Sequence, residues 1–325
     1  MTPISLFDSK DLTRDIVKTL KGNNSIYVVF STFGEREASL IYDKISLLRD
    51  QLGDLIDTIY LSHRRAGDSE ESTEEMALKA DPNAQILICN TWKVPDMGEE
   101  KGKGADMRRT LYHINTSRVN DDPQNHIVVF LDADVVPRHF GVHFVTGLAG
   151  AVLKGYDFAK ASFWREMGRV KKYVAQPLFS VLDHPGLKSL SQLAYPLSGE
   201  VGGTVDFFNR VHFWQIYGVE TGINIDASIG GYRVADVNLG LYDHEHHGDL
   251  GIQKMSFGII RTFIRQCVDY GILELKDGTK ISDIFRASYI DENAQRQEME
   301  FNLEEKKYQP LKNIIKEKPQ RRKDS

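Results

Sequence analysis

The stretch His126-Ile-Val-Val-Phe-Leu-Asp-Ala-Asp134 decides how the rest of the chain is read. His126 to Leu131 is an apolar, β-branched run of strand length, and two carboxylates stand just beyond its end. Three runs of the same kind precede it: Ser25-Ile-Tyr-Val-Val-Phe-Ser31, Thr58-Ile-Tyr-Leu-Ser62 and Gln85-Ile-Leu-Ile-Cys-Asn90. Helical patterns at 36–51, 72–80 and 104–117 lie between them. A continuously apolar strand has no wet face, so such strands alternating with helices predict an α/β fold with a parallel sheet covered on both sides. In that arrangement a ligand sits beyond the carboxyl ends of the strands. Asp132 and Asp134 stand at such an end.

Beyond the four strands the pattern is less regular. Strands are expected at 157–163 and 232–242, helices at 205–214 and 219–229, and helical spacing continues over 249–272. No Pro/Gly linker divides the chain. The expected organisation is an N-terminal helical extension over 1–24, one domain over 25–250 (halves at about 25–135 and 136–250), a C-terminal helical region over 251–310 and a charged tail over 311–325.

The 325 residues include 41 Lys+Arg and 46 Asp+Glu, a net charge of −5. That balance argues against a general nucleic-acid binder. No apolar run approaches the roughly 20 residues that span a bilayer, and the first residues lack a basic-then-apolar leader. Cys89 and Cys267 form no disulfide framework. A cytoplasmic protein without nucleic-acid or membrane partners is the expectation.

Six segments could carry chemistry. Asp132-Ala-Asp134 offers oxygen ligands to a hard divalent cation whose shell a diphosphate would complete, although strand-end aspartates also serve as caps. Gly102-Lys-Gly104 opens a helix and could approach a phosphate, with Lys103 adding charge; its spacing is not that of a P-loop. Gly168-Arg-Val-Lys171 could hold an anion through backbone N–H and guanidinium groups. Tyr195-Pro-Leu-Ser-Gly-Glu-Val-Gly-Gly203 is glycine-rich enough to bring backbone close to a ligand. Glu220 lies one turn into an apolar helix, where a carboxylate must be paired or functional, and Asp226 follows in the same helix. Tyr242, His244 and His246 share one face of a strand that runs into a histidine cluster, and histidine ligates metals. His63 and the remaining histidines are surface or packing residues by default.

Taken in order, Gly102-Lys-Gly104 with Arg108 and Arg109, Asp132-Ala-Asp134, Gly168-Arg-Val170, Pro196-Leu-Ser-Gly-Glu200, Tyr217-Gly-Val-Glu220 through Asp226, and Val237-Asn-Leu-Gly240 through His244 resemble the glucosyl-3-phosphoglycerate synthases. The resemblance runs from about 25 to 250. It implies a retaining glycosyltransferase of GT-A fold, with a mostly parallel central sheet flanked by helices, and a homodimer. It implies a nucleotide-sugar donor, such as UDP-glucose, touched by Ser31, Phe33, Glu35, Ser62, Lys103, Asp132, Ala133 and Asp134. It implies Mg²⁺ or Mn²⁺ on Asp134 and His244. A small anionic acceptor such as 3-phosphoglycerate would lie on Gly168, Arg169, Lys171, Ser198, Gly199, Glu200 and His246. Glu220 and Asp134 would be the catalytic pair. The sequence departs from the family at Ser31-Thr-Phe-Gly-Glu-Arg-Glu37, at Lys171, and at Tyr242 and His246.

The differential effect such a site must supply is stabilisation of the charge that grows on the leaving nucleotide. Competing readings are a mannosyl or other hexosyl transferase using a GDP-sugar, a nucleotidyltransferase releasing pyrophosphate, and a non-catalytic sugar-nucleotide binder.

Overall fold

The computed structural model describes residues 4–164, 168–242 and 248–315. Its centre is an eight-stranded sheet in the order β1-β9-β6-β7-β5-β2-β3-β4. One half holds β2 (Ser25–Phe33), β3 (Thr58–Arg64), β4 (Gln85–Ile88) and β5 (His126–Asp132). They pair in parallel, as their unbroken apolar character requires. The other half holds β1 (Ser5–Asp8), β6 (Phe158–Trp164), β7 (Val201–Thr204) and β9 (Val234–Leu241). β7 runs antiparallel to both β5 and β6, and two glycines in this four-residue strand leave room against Leu148 and Phe208.

Helices cover both faces. On one side α1 (Arg14–Lys21), α2 (Ala38–Leu52), α3 (Ser72–Ala80) and α5 (His143–Leu153) close over a core that includes Val28, Phe30, Ile45, Leu131, Phe144 and Val237. On the other, α4 (Lys103–Ser117), α7 (Val205–Arg210) and α8 (Val219–Ile229) close over Val29, Phe130, Leu111, Phe208 and Val219. A short helix α6 (Gln176–Ser180) and the long α9 (Asp249–Asp269) flank this second side.

Three expected elements differ. The first 24 residues hold, besides α1, the edge strand β1, which pairs with β9; four residues are too few for the period-2 pattern to show. The helix expected over 205–214 stops at Arg210, and Phe213–Trp214 form β8. The region 251–310 is helical only to Asp269. It continues as a hairpin of β10 (Ile284–Ile290) and β11 (Arg296–Asn302) and then β12 (Lys307–Tyr308), which pairs with β8. Leu311, placed by the sequence in a frayed tail, is fully buried. Among the described residues no helix is long and apolar enough to cross a membrane.

The segment around β12 is a strap. Glu305 is buried, and its carboxylate accepts from the backbone N–H groups of Ile216, Tyr217 and Gly218 at 3.1–3.2 Å and pairs with Arg261 Nη2 at 2.9 Å. Lys306 reaches Glu100, and Arg108 donates to the Gln309 carbonyl. One short stretch therefore ties α9, the approach to α4 and the start of α8 together.

Candidate active site

A cleft of about 920 Å³ opens over the carboxyl ends of the strands. Its floor is the tip of β5. Leu131 is buried, while the Asp132 side chain is about a quarter exposed, so the chain leaves the core at the first carboxylate. The Ala133 carbonyl accepts a hydrogen bond from Lys44 of α2, which pins the turn from beneath. Burial lowers the Lys44 pKa to about 8, against the pull of Asp134 and Glu200.

Lys103, the first residue of α4, places its ammonium 2.6 Å from Asp132 and 3.2 Å from Glu220. Burial disfavours its charge, but Asp132 and then Glu220 outweigh that and hold its pKa above the ordinary lysine value. The glycines beside it also serve packing. Gly102 lies at φ +135°, and side chains at 102 or 104 would collide with the backbone of Gln215 and Trp214. They let α4 start hard against the 214–216 segment, and Gly102 also lines the cleft.

The other side of the cleft is carried by segments far apart in sequence. Gly168, Arg169 and Lys171 line it. Gly168 adopts φ +151°, a conformation open to glycine. The Arg169 guanidinium lies 2.7 Å from Asp249 at the start of α9, and Lys171 stacks over the Tyr195 ring. Ser198, Gly199 and Glu200 also line the cleft, but Glu200 is 1% exposed, with Ser198 Oγ donating at 2.7 Å and Tyr242 Oη at 3.2 Å. Burial, then the charge of Asp132, raise the Glu200 pKa well above the usual carboxylate range. Ile252, Met255 and Ile259 of α9 supply an apolar flank.

Ser31, Phe33, Ser62, Ala133 and Asp134 line the same cleft, as do Lys103, Asp132 and Glu220. Glu35 does not: its carboxylate accepts from the Ser72 backbone and holds the start of α3. Arg108 and Arg109 turn away, bound to Asp96 and Asp106. Asp226 is structural, accepting from His212, Gln266 and Tyr270. His244 and His246 lie outside the described residues.

Lys160, Glu305 and the apolar flank of α9 had no expected role in the site. Lys160 is 1% exposed, and its ammonium donates to the Ser198 carbonyl at 2.7 Å; its signal was a lysine inside the apolar run 158–163. Burial lowers its pKa to about 8, countered first by Glu220. His63 is likewise fully buried, between Thr32 and Glu71.

No protein-family model matches the chain. A curated glucosyl-3-phosphoglycerate synthase of Petrotoga mobilis is 27% identical over 288 residues, 83% of this chain and 81% of that one. Mannosyl-3-phosphoglycerate synthase from Rubrobacter xylanophilus superposes with a TM-score of 0.79 at 24% identity, over 97% of this chain and 100% of that one. This chain is a glycosyltransferase of GT-A fold. Glucosyl-3-phosphoglycerate synthase from Mycobacterium tuberculosis, crystallised with Mn²⁺ and UDP-glucose, superposes on the glycosyltransferase with a TM-score of 0.72 at 25% identity, over 97% of this chain and 100% of that one. The resemblance read from the ordered motifs therefore extends over most of the chain.

Proposed function

We propose that this glycosyltransferase moves glucose from UDP-glucose, with Mg²⁺ or Mn²⁺ and with retention at the sugar carbon, to 3-phosphoglycerate or a closely similar small anion. One observation carries the reading: a single cleft is lined by the Lys103–Asp132–Glu220 cluster, by Asp134 and by the cationic segment 168–171. The name of the Petrotoga relative and the Mn²⁺ and UDP-glucose complex of the mycobacterial one support this donor, cation and acceptor, while the name of the Rubrobacter relative supports a mannosyl donor to the same acceptor.

The residues fit a hard cation. Asp134 lines the cleft, and one or two carboxylates completed by substrate phosphates are the usual support of Mg²⁺. When bound, the cation would supply charge neutralisation for the leaving diphosphate. Among the described residues no three metal-type ligands converge; phosphate oxygens would finish the shell around Asp134, with His244 the further candidate.

Lys103 adds a second positive charge where negative charge grows, and its two carboxylate partners fix its direction before substrate arrives. Arg169 and Lys171 attract the acceptor's phosphate or carboxylate. α9 excludes water along the apolar flank. Retention by a covalent sugar intermediate would need a free carboxylate. Glu220 is tied to Lys103, and Glu200 to Ser198 and Tyr242, so attack from the face of the departing diphosphate is the favoured route.

The test is release of the nucleoside diphosphate, UDP or GDP, measured with UDP-glucose, GDP-glucose and GDP-mannose against 3-phosphoglycerate and related anions, with and without Mg²⁺ or Mn²⁺. Turnover that requires UDP-glucose, a cation and a phosphorylated acceptor supports the reading. Pyrophosphate as product, or turnover confined to a GDP-sugar, overturns it.

A further inference from the structure

The carboxyl ends of β2 and β3 hold a buried polar chain that the reaction above does not use. Thr32 lines the cleft, and its Oγ lies 2.8 Å from His63 Nδ1. The two residues are register partners on adjacent strands. The other ring nitrogen, Nε2, lies 3.0 Å from Glu71 Oε2, with Glu74 Oε1 at 3.7 Å. Glu71 is fixed in turn, because its Oε1 accepts from the Ala66 backbone at 2.7 Å.

The direction of these bonds follows from valence. A carboxylate only accepts, so Nε2 carries the hydrogen. Burial lowers the His63 pKa, which favours the neutral ring. In a neutral ring Nδ1 is then a lone pair, and the Thr32 hydroxyl must give it its hydrogen. The hydroxyl has no hydrogen left for the cleft and presents only lone pairs. A serine or threonine hydroxyl ordinarily rotates to suit any partner; this one cannot.

Topology says which part of a nucleotide meets it. The acidic tip that would face the diphosphate is on β5, and Asp132 is in register with Ser31 of β2. The segments at 168–171 and 195–200 stand on the opposite side, toward β6 and β7. A donor with its diphosphate at 132–134 and its sugar toward Glu220 extends its nucleoside over β2 and β3.

We infer that Thr32 reads the donor base: held as an obligate acceptor by Glu71 through His63, its hydroxyl takes the imide N3–H of uracil and rejects cytosine, which offers a lone pair at N3. The inference rests on the uridine-donor reading. Thr32 is the residue that touches the base, and His63 and Glu71 are positioning residues that set the sense of its hydrogen bond.

The experiment is binding of UDP and CDP by calorimetry in the presence of Mg²⁺. Wild type is expected to prefer UDP at least about tenfold, the worth of a neutral hydrogen bond near its upper range. Thr32→Val should weaken UDP about tenfold and leave CDP nearly unchanged. Glu71→Gln is the decisive variant. Its amide oxygen can still accept from Ala66 while its NH₂ donates to His63 Nε2, so the ring hydrogen moves to Nδ1 and the Thr32 hydroxyl turns toward the cleft. CDP affinity should then rise while UDP affinity falls, an inversion that a loss of packing would not produce. A UDP to CDP ratio unchanged in Glu71→Gln, or equal losses for both nucleotides in Thr32→Val, overturns the inference. A wild type that prefers GDP to either overturns the uridine reading itself and with it the uracil contact.

Discussion

The two walls of the cleft are built on different principles. The proposed donor wall is the carboxyl ends of β2, β3 and β5, and its side chains are placed by the same parallel register that makes the sheet. The acceptor wall gathers short pieces at 168–171, 195–200, 216–220 and 252–259 that have no common ladder. Buried polar bonds replace the ladder: Lys160 to the Ser198 carbonyl, Tyr242 to Glu200, and Glu305 to three consecutive backbone N–H groups. A sheet edge tolerates the loss of a side chain because the backbone remains in place. A wall held by buried charges does not, since each orphaned partner bears its full desolvation cost.

That contrast can be tested by substitution. Asp134→Ala, on the donor wall, is expected to lower cation-dependent turnover on the order of 10³-fold while the melting temperature stays close to wild type; wild-type turnover would break the assignment of the acidic tip. Glu305→Ala, behind the acceptor wall, should show the reverse emphasis. It leaves Arg261 and three N–H groups buried without their carboxylate, so urea denaturation should register a loss of about 3 kcal/mol, and a loss below about 1 kcal/mol would show that the strap is not a principal support. Arg169→Ala should cost roughly 2 kcal/mol in kcat/KM for an anionic acceptor, the worth of a charge-assisted hydrogen bond, with donor hydrolysis little changed; equal loss of both would remove Arg169 from the acceptor wall.

The smallest effect is one of pH. The native Lys160 ammonium releases its proton near pH 8, and the unfolded one near the ordinary 10.5. Between those values the unfolded chain holds more protons, so wild-type stability relative to Lys160→Met should rise with pH, by at most about 1.4 kcal/mol per unit. Below pH 8 this lysine contributes no slope. Denaturation midpoints of both proteins at pH 7, 8, 9 and 10 measure the difference, and parallel curves would show that Lys160 is charged throughout.

The donor wall was legible because its strands are long, apolar and separated by periodic helices, and because Asp132 and Asp134 interrupt that pattern at a strand end. Lys103 and Glu220 were legible as charges in apolar or glycine-rich surroundings. Glu35 misled because a loop carboxylate beside a nucleotide fold looks the same whether it faces a ligand or caps a helix. Gly102 and Gly104 were legible as places of close approach but not of what approaches, since closeness to a phosphate and closeness to Gln215 both demand glycine. Glu305 carried no local signal at all, and the α9 flank showed its helical spacing but not its place beside the cleft. Their roles exist only once residues 40 to 90 positions apart meet, and a charged, Gln-rich stretch gives no hint that one of its carboxylates is buried.

The strap at 305–309 also imposes an order on biosynthesis. A ribosome delivers the donor strands first, and they can pair and collapse while the remainder is still being made. The helix bearing Glu220 has no carboxylate behind its first turn until Glu305 emerges some 85 positions later. A nascent chain therefore carries strands β2 to β5 well before it carries the carboxylate that holds the first turn of the Glu220 helix.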